Sequence, residues 1–429
     1  MMIRTPRGVE DILPHQSPKY QWMEKEASSL FHLYGYEEIR VPSFEKTELF
    51  LRSVGKETDV GKQMYIFKDK KGRSLSLRPE ATASVARAYI QHRLYEKSED
   101  WRVYYIGPMF RYERPQAGRL REFRQIGVEV LGEAAPQLDV EIIEMASQFL
   151  KRLGLANFKV QLNSIGCKKC RPEYEKRLKE YFKRNLDSLC PVCQKRYKHN
   201  VLRILDCKEE SCQKVIERAP LLRDHLCENC QIHFEKVKMG LKDTGIEFNL
   251  NPYLVRGLDY YTRTTFEFTI PSLGAQDTIC GGGRYDELVE ELGGPSIPGI
   301  GFSIGVERLL VALEGEGMKF FPKDSPGVYV ITLGEESQKI GYYLANLLRS
   351  KGIKTCMSFS GNSLSSQLRL ANRKEVRWTI IIGEEEVDKE RLMLKDMKSG
   401  KQREIEWKKL EEFSQNLNFQ LTEKAGLED

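Results

Sequence analysis

Two strand-rich stretches, residues 1–166 and about 246–320, lie on either side of a helical segment that is rich in cysteine and lysine. Strand-like runs with Val, Ile, Tyr and Phe occupy 102–113 and 122–132 in the first stretch and recur in the second. Because the two outer stretches share this character, we interpret 167–240 as an insertion into one domain. That domain would then be formed by two separated pieces of sequence.

A second domain is predicted after a proline- and glycine-containing break at 321–327. Beyond it, strand-like runs such as VYVITL and WTIIIG alternate with amphipathic helical runs, which is typical of a small α/β domain with a largely parallel sheet. We therefore place the first domain at 1–322 and the second at 326–429. The last residues, about 416–429, are expected to be weakly ordered.

Composition and hydropathy argue against two broad classes of protein. Hydrophobic residues make up 40% of the chain and charged residues 30%, a balance that allows a large core. No apolar run approaches the ~18 residues that a membrane helix needs, so no membrane partner is expected. The N-terminal sequence MMIRTPRGVEDILP lacks the apolar region of a secretory signal, so we expect a cytoplasmic protein.

The overall charge of +6 is unevenly distributed along the chain. Residues 167–240 contain 18 Lys/Arg and 11 Asp/Glu, a net of +7, so the rest of the chain sums to −1. A basic segment on a near-neutral body is a candidate surface for a polyanion such as RNA. A solvated, lysine-rich helical surface explains the same charge equally well.

Eight of the ten cysteines are clustered, which in a reducing compartment indicates metal binding more often than disulfides. Two C-x2-C pairs separated by nineteen residues match zinc-ribbon spacing and predict a structural Zn²⁺ site. Its ligands would be Cys167, Cys170, Cys190 and Cys193. A second predicted set comprises Cys207, Cys212, Cys227 and Cys230. The alternatives are a group of small buried thiols and a metal site that has been lost. The two remaining cysteines, Cys280 and Cys356, are expected to lie singly in the core.

Five arginines fall within fifteen residues in FRYERPQAGRLREFR, 110–124. Side chains alternate along a strand, so Arg111 and Glu113 are predicted to share one face. Such an arginine could hold a phosphate through two hydrogen bonds, the glutamate could accept a bond from an amino group, and Phe123 could stack on a base. The alternative is an exposed strand pair kept soluble by its arginines, which the apolar neighbours disfavour.

Two segments place charged residues at predicted helix starts. In SLRPEATASVARAYI, 76–90, Glu80 and Thr82 stand at such a start, where a glutamate most often acts as a cap. In GFSIGVERLL, 301–310, Arg308 is flanked by apolar residues. This setting favours a functional or ion-paired arginine over a surface one.

Two further segments combine glycine with polar side chains. LVRGLDYYTRT, 254–264, groups Arg256, Asp259 and two tyrosines around a glycine. GGGRYDEL, 281–288, has three glycines followed by an arginine, which suits a close approach of the backbone to a ligand. Taken alone, the glycines are equally compatible with a tight turn and the tyrosines with core packing.

Together these segments resemble the three motifs of class II aminoacyl-tRNA synthetases. A long helix and a proline-containing strand at 17–44 resemble motif 1, FRYE continuing from 110 to Gly132 resembles motif 2, and G-x-x-x-G-x-E-R at 301–308 resembles motif 3. LVRGLDYY and GGGRYD are particular to the histidyl members, so the chain resembles the bacterial histidyl-tRNA synthetases over nearly its full length. GNSLSSQLRLANR, 361–373, resembles part of the class IIa anticodon-binding domain.

The resemblance implies an α/β (α+β) fold: a catalytic core built on an antiparallel sheet, a helical cysteine-rich insertion and a C-terminal α/β anticodon-binding domain. It also implies that L-histidine is activated with ATP and Mg²⁺, giving histidyl-adenylate and pyrophosphate, and is then transferred to tRNA(His). Motif 1 implies a homodimer. The resemblance does not imply zinc; that prediction rests on the cysteine spacing alone.

The resemblance further implies a role for individual residues. Arg111 and Arg256 would be catalytic and would bracket the α-phosphate and the histidine carboxylate. ATP would be bound by Arg111, Glu113, Arg119, Phe123 and Arg308. Histidine would be bound by Glu80, Ala81, Thr82, Arg111, Gln125, Glu129, Arg256, Tyr260, Tyr261 and Tyr285. The hairpin-loop residues Arg114 and Gln116 would face the acceptor end of the tRNA.

Two other functions remain open at this point. A non-catalytic, synthetase-like regulatory subunit of histidine biosynthesis resembles the same core, but such proteins generally lack the anticodon-binding domain and lose arginines of the ATP site. A purely RNA-binding module of this fold would have no need for Glu80, Glu129 and Tyr261 together.

Overall fold

A computed structural model of the chain describes residues 2–56, 58–97, 100–273, 277–318, 327–359 and 363–413. Three features from the sequence lie outside these residues: most of the break at 321–327, the first two positions of 361–373 and the tail at 416–429. The chain divides into two compact units, Met1–Phe321 and Pro322–Asp429.

The first unit contains helices and strands on both sides of the cysteine-rich segment. Its helices are α1 (Ser17–Leu33), α2 (Thr47–Ser53), α3 (Asp59–Lys62), α4 (Thr82–Gln91), α5 (Pro136–Arg152), α6 (Arg171–Arg184), α7 (Pro191–His199), α8 (Glu210–Ile216), α9 (Glu228–Asp243), α10 (Leu288–Glu291) and α11 (Val306–Gly315). Its strands are β1 (Glu37–Glu38), β2 (Phe44–Lys46), β3 (Ile66–Lys68), β4 (Ser74–Leu77), β5 (Trp101–Phe110), β6 (Glu122–Leu131), β7 (Lys159–Ser164), β8 (Phe248–Leu250), β9 (Thr262–Thr269), β10 (Thr278–Arg284) and β11 (Gly299–Gly305).

An eight-stranded sheet forms the centre of this unit, in the order β1-β5-β6-β11-β10-β9-β7-β8. Neighbouring strands from β5 to β7 are antiparallel, whereas β1 pairs with β5 and β8 with β7 in parallel. Strands β8 to β11 follow the cysteine-rich segment in the chain. The sheet is therefore built from two separated pieces of sequence, and the predicted antiparallel core is confirmed.

One face of the sheet is covered by α1 and α5. Alternate residues of β6, such as Ile126 and Val128, join Phe31 of α1 and Phe149 of α5 in a single buried cluster. Burying each of these side chains stabilises the fold by about 1.5–3 kcal/mol. Because side chains alternate along a strand, Glu129 of β6 is directed away from this layer, to the face that carries the cavities described below.

The hairpin formed by β5 and β6 departs from its predicted length. Strand β5 ends at Phe110, and the Glu113 N–H bonds the Arg111 carbonyl in a tight turn at 2.7 Å. The predicted strand is therefore wrong at Arg111 and Glu113, because the turn interrupts the ladder. Their side chains still lie on the same side, as predicted: they approach to 3.9 Å and line one cavity.

Helices α6 to α9, with short 3-10 turns between them, form the segment between β7 and β8. Tyr174, Leu178 and Phe182 of α6 supply much of its buried apolar surface. Helix α9 packs on α5, where His233 Nε2 lies 3.0 Å from Asp139 Oδ1. The cysteine-rich segment is thus packed, through α9, against the helical layer that covers the sheet.

The second unit contains β12 (Val328–Thr332), α12 (Glu335–Ser350), β13 (Thr355–Met357), α13 (Leu364–Arg373), β14 (Trp378–Ile382), α14 (Glu384–Asp388), β15 (Arg391–Asp396) and β16 (Gln402–Glu406). Its sheet has the order β13-β12-β14-β15-β16, in which the first three strands are parallel, as predicted. The last two strands are antiparallel, because Asp396 accepts the N–H groups of Lys398 and Ser399 in a tight hairpin turn. Among the residues described for the chain, no helix is long and apolar enough to cross a bilayer.

Candidate active site

Two adjoining cavities open on the sheet face opposite α1 and α5. The smaller, about 150 Å³, lies over the middle of the sheet, and the larger is a cleft of about 910 Å³. Arg111, Gln125 and Arg256 line both cavities. Two guanidinium groups therefore stand at the junction between a small enclosed pocket and a large cleft.

Glu129 lies at the floor of the smaller cavity and is 2% exposed. Its Oε1 accepts a hydrogen bond of 2.6 Å from the Thr82 hydroxyl, and its Oε2 accepts one from the Tyr285 hydroxyl. The carboxyl group occupies the space beside Gly301, where a Cβ would overlap Oε2. Residues from β6, α4, β11 and the segment after β10 therefore fix the position of this one carboxyl group.

Burial raises the pKa of Glu129 from 4.5 to about 8, although the hydrogen bonds from Thr82 and Tyr285 act in the opposite direction. At neutral pH the group is therefore largely protonated in this state of the protein. It can donate one hydrogen bond as well as accept others, which suits a ligand ring that carries both a donor and an acceptor nitrogen.

Four tyrosines line the smaller cavity, and three of them, Tyr260, Tyr261 and Tyr285, contact one another. The rings of Tyr260 and Tyr261 lie 4.8 Å apart, and those of Tyr260 and Tyr285 meet edge to face at 5.7 Å. Burial raises the pKa of the Tyr261 hydroxyl, so it remains a hydrogen-bond donor. The pocket is thus aromatic on its sides and polar at its floor.

Glu80 lines the same cavity from the start of α4. Its oxygens accept the N–H groups of Thr82 at 2.6 Å and Ala83 at 3.1 Å. The capping role suggested by the sequence is therefore present. Burial raises the pKa of the Glu80 carboxyl, and the two backbone bonds and the Arg111 cation oppose this. A carboxyl group so placed can also receive a ligand ammonium group.

Arg256 stands at the cavity junction, where it pairs with Glu267 of β9, and Glu267 also accepts a 2.9 Å bond from Thr278. Its guanidinium lies 5.5 Å from the centre of the Tyr261 ring. Burial opposes the charge of Arg256, but the Glu267 carboxylate outweighs this and raises the pKa of the arginine. Gly281 makes the position possible, because a Cβ there would overlap the guanidinium.

The cleft beyond the junction is lined by residues of the β5–β6 hairpin. Arg111 bonds the Pro79 carbonyl at 2.8 Å and lies 5.2 Å from the centre of the Phe123 ring. Arg119 approaches Glu113 to 3.7 Å. Burial lowers the pKa of Arg111, with Glu113 opposing the shift, yet a guanidinium stays charged in proteins. The hairpin therefore contributes cations, the Glu113 carboxylate and an aromatic face to the cleft.

Arg308, from the start of α11, is a further cation that lines the cleft. Its Nε donates to the Thr278 carbonyl at 2.8 Å. Gly118, at the tip of the hairpin loop, has φ +68°, and a Cβ there would lie 3.2 Å from Arg308 Cα. The loop of the hairpin and the start of α11 are thus packed against each other.

Three residues expected at the site do not line either cavity. Ala81 is fully buried in an apolar cluster with Val85 and Val103. Arg114 and Gln116 are exposed on the hairpin loop, where the Gln116 and Arg119 backbones bond each other in a tight turn. The other predicted ATP- and histidine-site residues are brought together around the two cavities.

The GGGR segment is a strand rather than a turn, because 278–284 forms β10. Its arginine, Arg284, is fully buried and forms an ion pair of 2.7 Å with Asp139, with further bonds to the Glu133 and Ala135 carbonyls. The glycines do permit a close approach, but Gly281 lies against the Arg256 side chain and the other two lie against neighbouring strands. Arg284 therefore supports the fold rather than the cavity.

Sequence reasoning missed several residues that line the site. Glu267 is the only charged residue in TTFEFTI and could have been noticed as a partner for Arg256. Tyr105 lines the small cavity from β5. The insertion contributes Arg196, Arg203 and Lys208 to the cleft, for which no local signal exists.

The eight clustered cysteines form two groups of four, but not the predicted ones. The proximal cluster comprises Cys167, Cys170, Cys227 and Cys230, and the distal cluster comprises Cys190, Cys193, Cys207 and Cys212. The zinc-ribbon pairing of 167/170 with 190/193 is therefore wrong. Helix α6 carries the chain away from its first cysteine pair, while α9 begins next to that pair, so the first and last pairs meet.

Known proteins are similar to this chain over nearly its whole length. A family model described as Histidyl-tRNA synthetase matches residues 8–309, and one described as Anticodon binding domain matches 327–417. A Histidine--tRNA ligase from Halothermothrix orenii is 50% identical over 94% of this chain and 97% of its own length. One from Caldanaerobacter subterraneus subsp. tengcongensis is 47% identical over the same shares.

A solved structure agrees with these sequence relatives. The crystal structure of apo S. aureus histidyl-tRNA synthetase has a TM-score of 0.82 and 38% identity, and the match covers 96% of this chain and 99% of that one. The resemblance drawn from the motifs is confirmed: the chain belongs to the histidyl-tRNA synthetase family.

Proposed function

We propose that the chain is a histidine–tRNA ligase, which activates L-histidine with ATP and transfers it to tRNA(His). The observation that carries this proposal is the junction of the two cavities, where Arg111 and Arg256 line both. A small pocket with an aromatic wall and a polar floor suits an imidazole, and a large cationic cleft suits a triphosphate. The reacting carboxylate and α-phosphate would meet at the two arginines.

In the first half-reaction a histidine carboxylate oxygen attacks the α-phosphorus of ATP. The new oxygen–phosphorus bond forms as the bond to the bridging oxygen breaks, and pyrophosphate leaves. Two anions must approach each other, so fixed cations lower the barrier both by positioning and by offsetting charge. Arg256, held by Glu267 and by the surface of β10, is assigned as the catalytic cation together with Arg111.

Recognition of the amino acid is assigned to the smaller pocket. Glu129 and Tyr261 would bond the two imidazole nitrogens, Tyr260 and Tyr285 would enclose the ring, and Glu80 would receive the α-amino group. Thr82 and Gln125 would complete the amino-acid site. An apolar ring of similar size would leave the Glu129 carboxyl unpaired by ligand, which disfavours its binding.

ATP is assigned to the cleft. Phe123 would stack on the adenine and Glu113 would bond its amino group, while Arg119 and Arg308 would bind the β- and γ-phosphates. The cleft also holds carboxylates, including Glu113 and Glu267, which are the donor type that Mg²⁺ uses beside nucleotide phosphates. When bound, Mg²⁺ would offset phosphate charge.

Transfer to tRNA is assigned to the surfaces around the cleft. Arg114 and Gln116 are exposed on the hairpin loop, where the acceptor end can reach them. The basic insertion, 167–240, would contact the acceptor arm through phosphates. We place the catalytic domain at 1–322 and the anticodon-binding domain at 326–429, and infer a cytoplasmic homodimer formed through the motif 1 region.

ATP–pyrophosphate exchange, measured with each of the twenty amino acids, tests the proposal. Histidine alone should support exchange, and adding tRNA(His) with labelled histidine should give charged tRNA. Absence of exchange with histidine would contradict the proposal and favour a regulatory subunit. The presence of Arg111, Arg119, Arg256 and Arg308 around one cleft argues against that alternative.

A further inference from the structure

The proximal and distal clusters share a geometry that the reaction does not require. In each, four sulfur atoms lie within 4.8 Å of one another. The Sγ atoms of Cys167 are 3.7 Å from Cys170 and 3.9 Å from Cys227, and those of Cys190 and Cys207 are 3.8 Å apart. A tetrahedral zinc ion with bonds of about 2.3 Å separates its sulfurs by about 3.8 Å. Both clusters therefore have the dimensions of a one-metal tetrathiolate site.

Backbone N–H groups at helix starts lie close to the sulfur atoms of both clusters. Cys170, Cys190 and Cys227 are the N-cap residues of α6, α7 and α9, where the first N–H groups have no partner within the helix. The Cys227 N–H donates to Cys170 Sγ at 3.1 Å, and the Cys190 N–H donates to Cys212 Sγ at 3.2 Å. The same donor pattern thus occurs in both clusters, each time between two separate chain segments.

The charge and size of the insertion agree with metal binding. Two zinc tetrathiolates together carry about four negative charges, which the net +7 of residues 167–240 more than balances. Around the distal cluster the helices are short, α7 with nine residues and α8 with seven, and buried side chains such as Val201 and Ile204 pack with its cysteines. Metal ligation would add folding free energy to this packing.

The distal cluster closes a loop that reaches the active site. Between Cys193 and Cys207, Arg203 bonds Asp59 of α3 at 2.9 Å and Asn200 bonds Asp259 of LVRGLDYY at 2.8 Å. Cys190, Cys207 and Lys208 themselves line the cleft. A metal at this cluster would therefore hold the part of the insertion that forms one wall of the cleft.

We propose that the chain binds two structural zinc ions, one in each cluster, and that the distal ion fixes the insertion wall of the cleft. The zinc sites stand independently of the catalytic assignment, whereas the effect on the wall rests on the proposed function. The sulfurs lie too close together to enclose a cluster of several irons, so a single metal ion is expected in each site.

Metal analysis of full-length protein, purified without added metal, tests the two sites directly. Two zinc ions per chain are expected. Cys170→Ser and Cys212→Ser should each lose one, while Cys356→Ser, in the second unit and outside both clusters, should keep two. Less than about one tenth of an equivalent of zinc, or iron in its place, would overturn the proposal, and a single ion would overturn the two-site form.

Cobalt exchange of the unaltered protein keeps the test valid if the cysteine variants fail to fold. Two equivalents of Co²⁺ should bind and show the intense visible bands of tetrahedral thiolate ligation. Titrated zinc should then displace both equivalents. Weak bands typical of octahedral oxygen ligation would refute tetrathiolate binding, and neither result depends on enzymatic activity.

A double-mutant cycle tests whether the distal ion acts on the cleft. Cys212→Ser and Asp59→Asn should each raise KM for ATP in the exchange assay, and the double variant should be little worse than Cys212→Ser alone. If the double variant raised KM by the product of the two single increases, the ion would not act through the Arg203–Asp59 contact. Loss of zinc with unchanged KM would refute the effect on the wall while leaving the metal sites established.

Discussion

Glu129→Gln should make the protein more stable while impairing it as an enzyme. The carboxyl group is buried at the floor of the small cavity, with a pKa raised to about 8. Glutamine has the same shape and can still accept a bond from Thr82 or Tyr285, whose hydroxyls can rotate to suit the amide. The substitution therefore removes the ionisation of a buried acid with little change in packing.

The size and sign of the expected stability difference follow from the raised pKa of Glu129. Between pH 4.5 and about 8 the folded protein keeps the Glu129 proton that the unfolded chain releases, so raising the pH through this window lowers stability. The slope is at most about 1.4 kcal/mol per pH unit. From pH 5.5 to 7.5 the unaltered protein should thus lose up to about 3 kcal/mol that Glu129→Gln retains.

Urea or thermal unfolding of both proteins across pH 5 to 9 provides the measurement. Other groups titrate in both proteins, so the difference between the two stability curves isolates Glu129. Glu180→Gln, at an exposed position on α6, should follow the unaltered protein and serves as the control. Parallel curves for Glu129→Gln and the unaltered protein would refute the claim that this carboxyl is held protonated by burial.

Three further substitutions test the cavity junction, its contact with β10 and the buried Asp139–Arg284 ion pair. Arg256→Ala should lower the rate of histidine-dependent exchange by about 100- to 1000-fold, the usual cost of losing one stabilising group at a transition state, and near-normal exchange would remove its assigned role. Gly281→Ala should impair exchange with only a small change in the unfolding midpoint, because the new methyl group overlaps the Arg256 guanidinium; unchanged exchange would show that Arg256 does not depend on β10. Asp139→Asn should destabilise the fold by about 3–5 kcal/mol in urea unfolding, since Arg284 loses its buried carboxylate, and a loss below about 1 kcal/mol would contradict that pairing.

Local sequence patterns were enough to predict elements that have a clear hydrophobic pattern or a glycine or proline at their ends. The long helix predicted within 17–44 is confirmed as α1, which ends at Leu33, two residues before Gly35 with φ +80°. The interruption of the first domain by a helical segment is equally visible, because composition changes at both ends of it. Motif residues such as Arg111 and Arg308 could be placed at one site because the resemblance assigns them jointly to ATP.

Pairings across long distances in the chain could not be predicted. Spacing alone joined the first two cysteine pairs, whereas the structure joins Cys167 and Cys170 to Cys227 and Cys230, about sixty residues away. The glycines of GGGR suggested a ligand loop, yet they are strand residues beside Arg256. In both cases the deciding contact comes from another element, which a local pattern does not contain.

Two glycines of β11, Gly299 and Gly301, lie against side chains of the small pocket. Gly301 opens the G-x-x-x-G-x-E-R segment, whose Arg308 lies in the cleft assigned to ATP. A Cβ at Gly301 would overlap Glu129 Oε2, and one at Gly299 would overlap the Tyr285 ring. The strand that leads into the helix of Arg308 therefore also leaves room for the carboxyl and the tyrosine of the small pocket. Because β11 lies between β6 and β10 in the sheet, it places the start of the Arg308 helix beside the strands that carry Glu129 and lead to Tyr285.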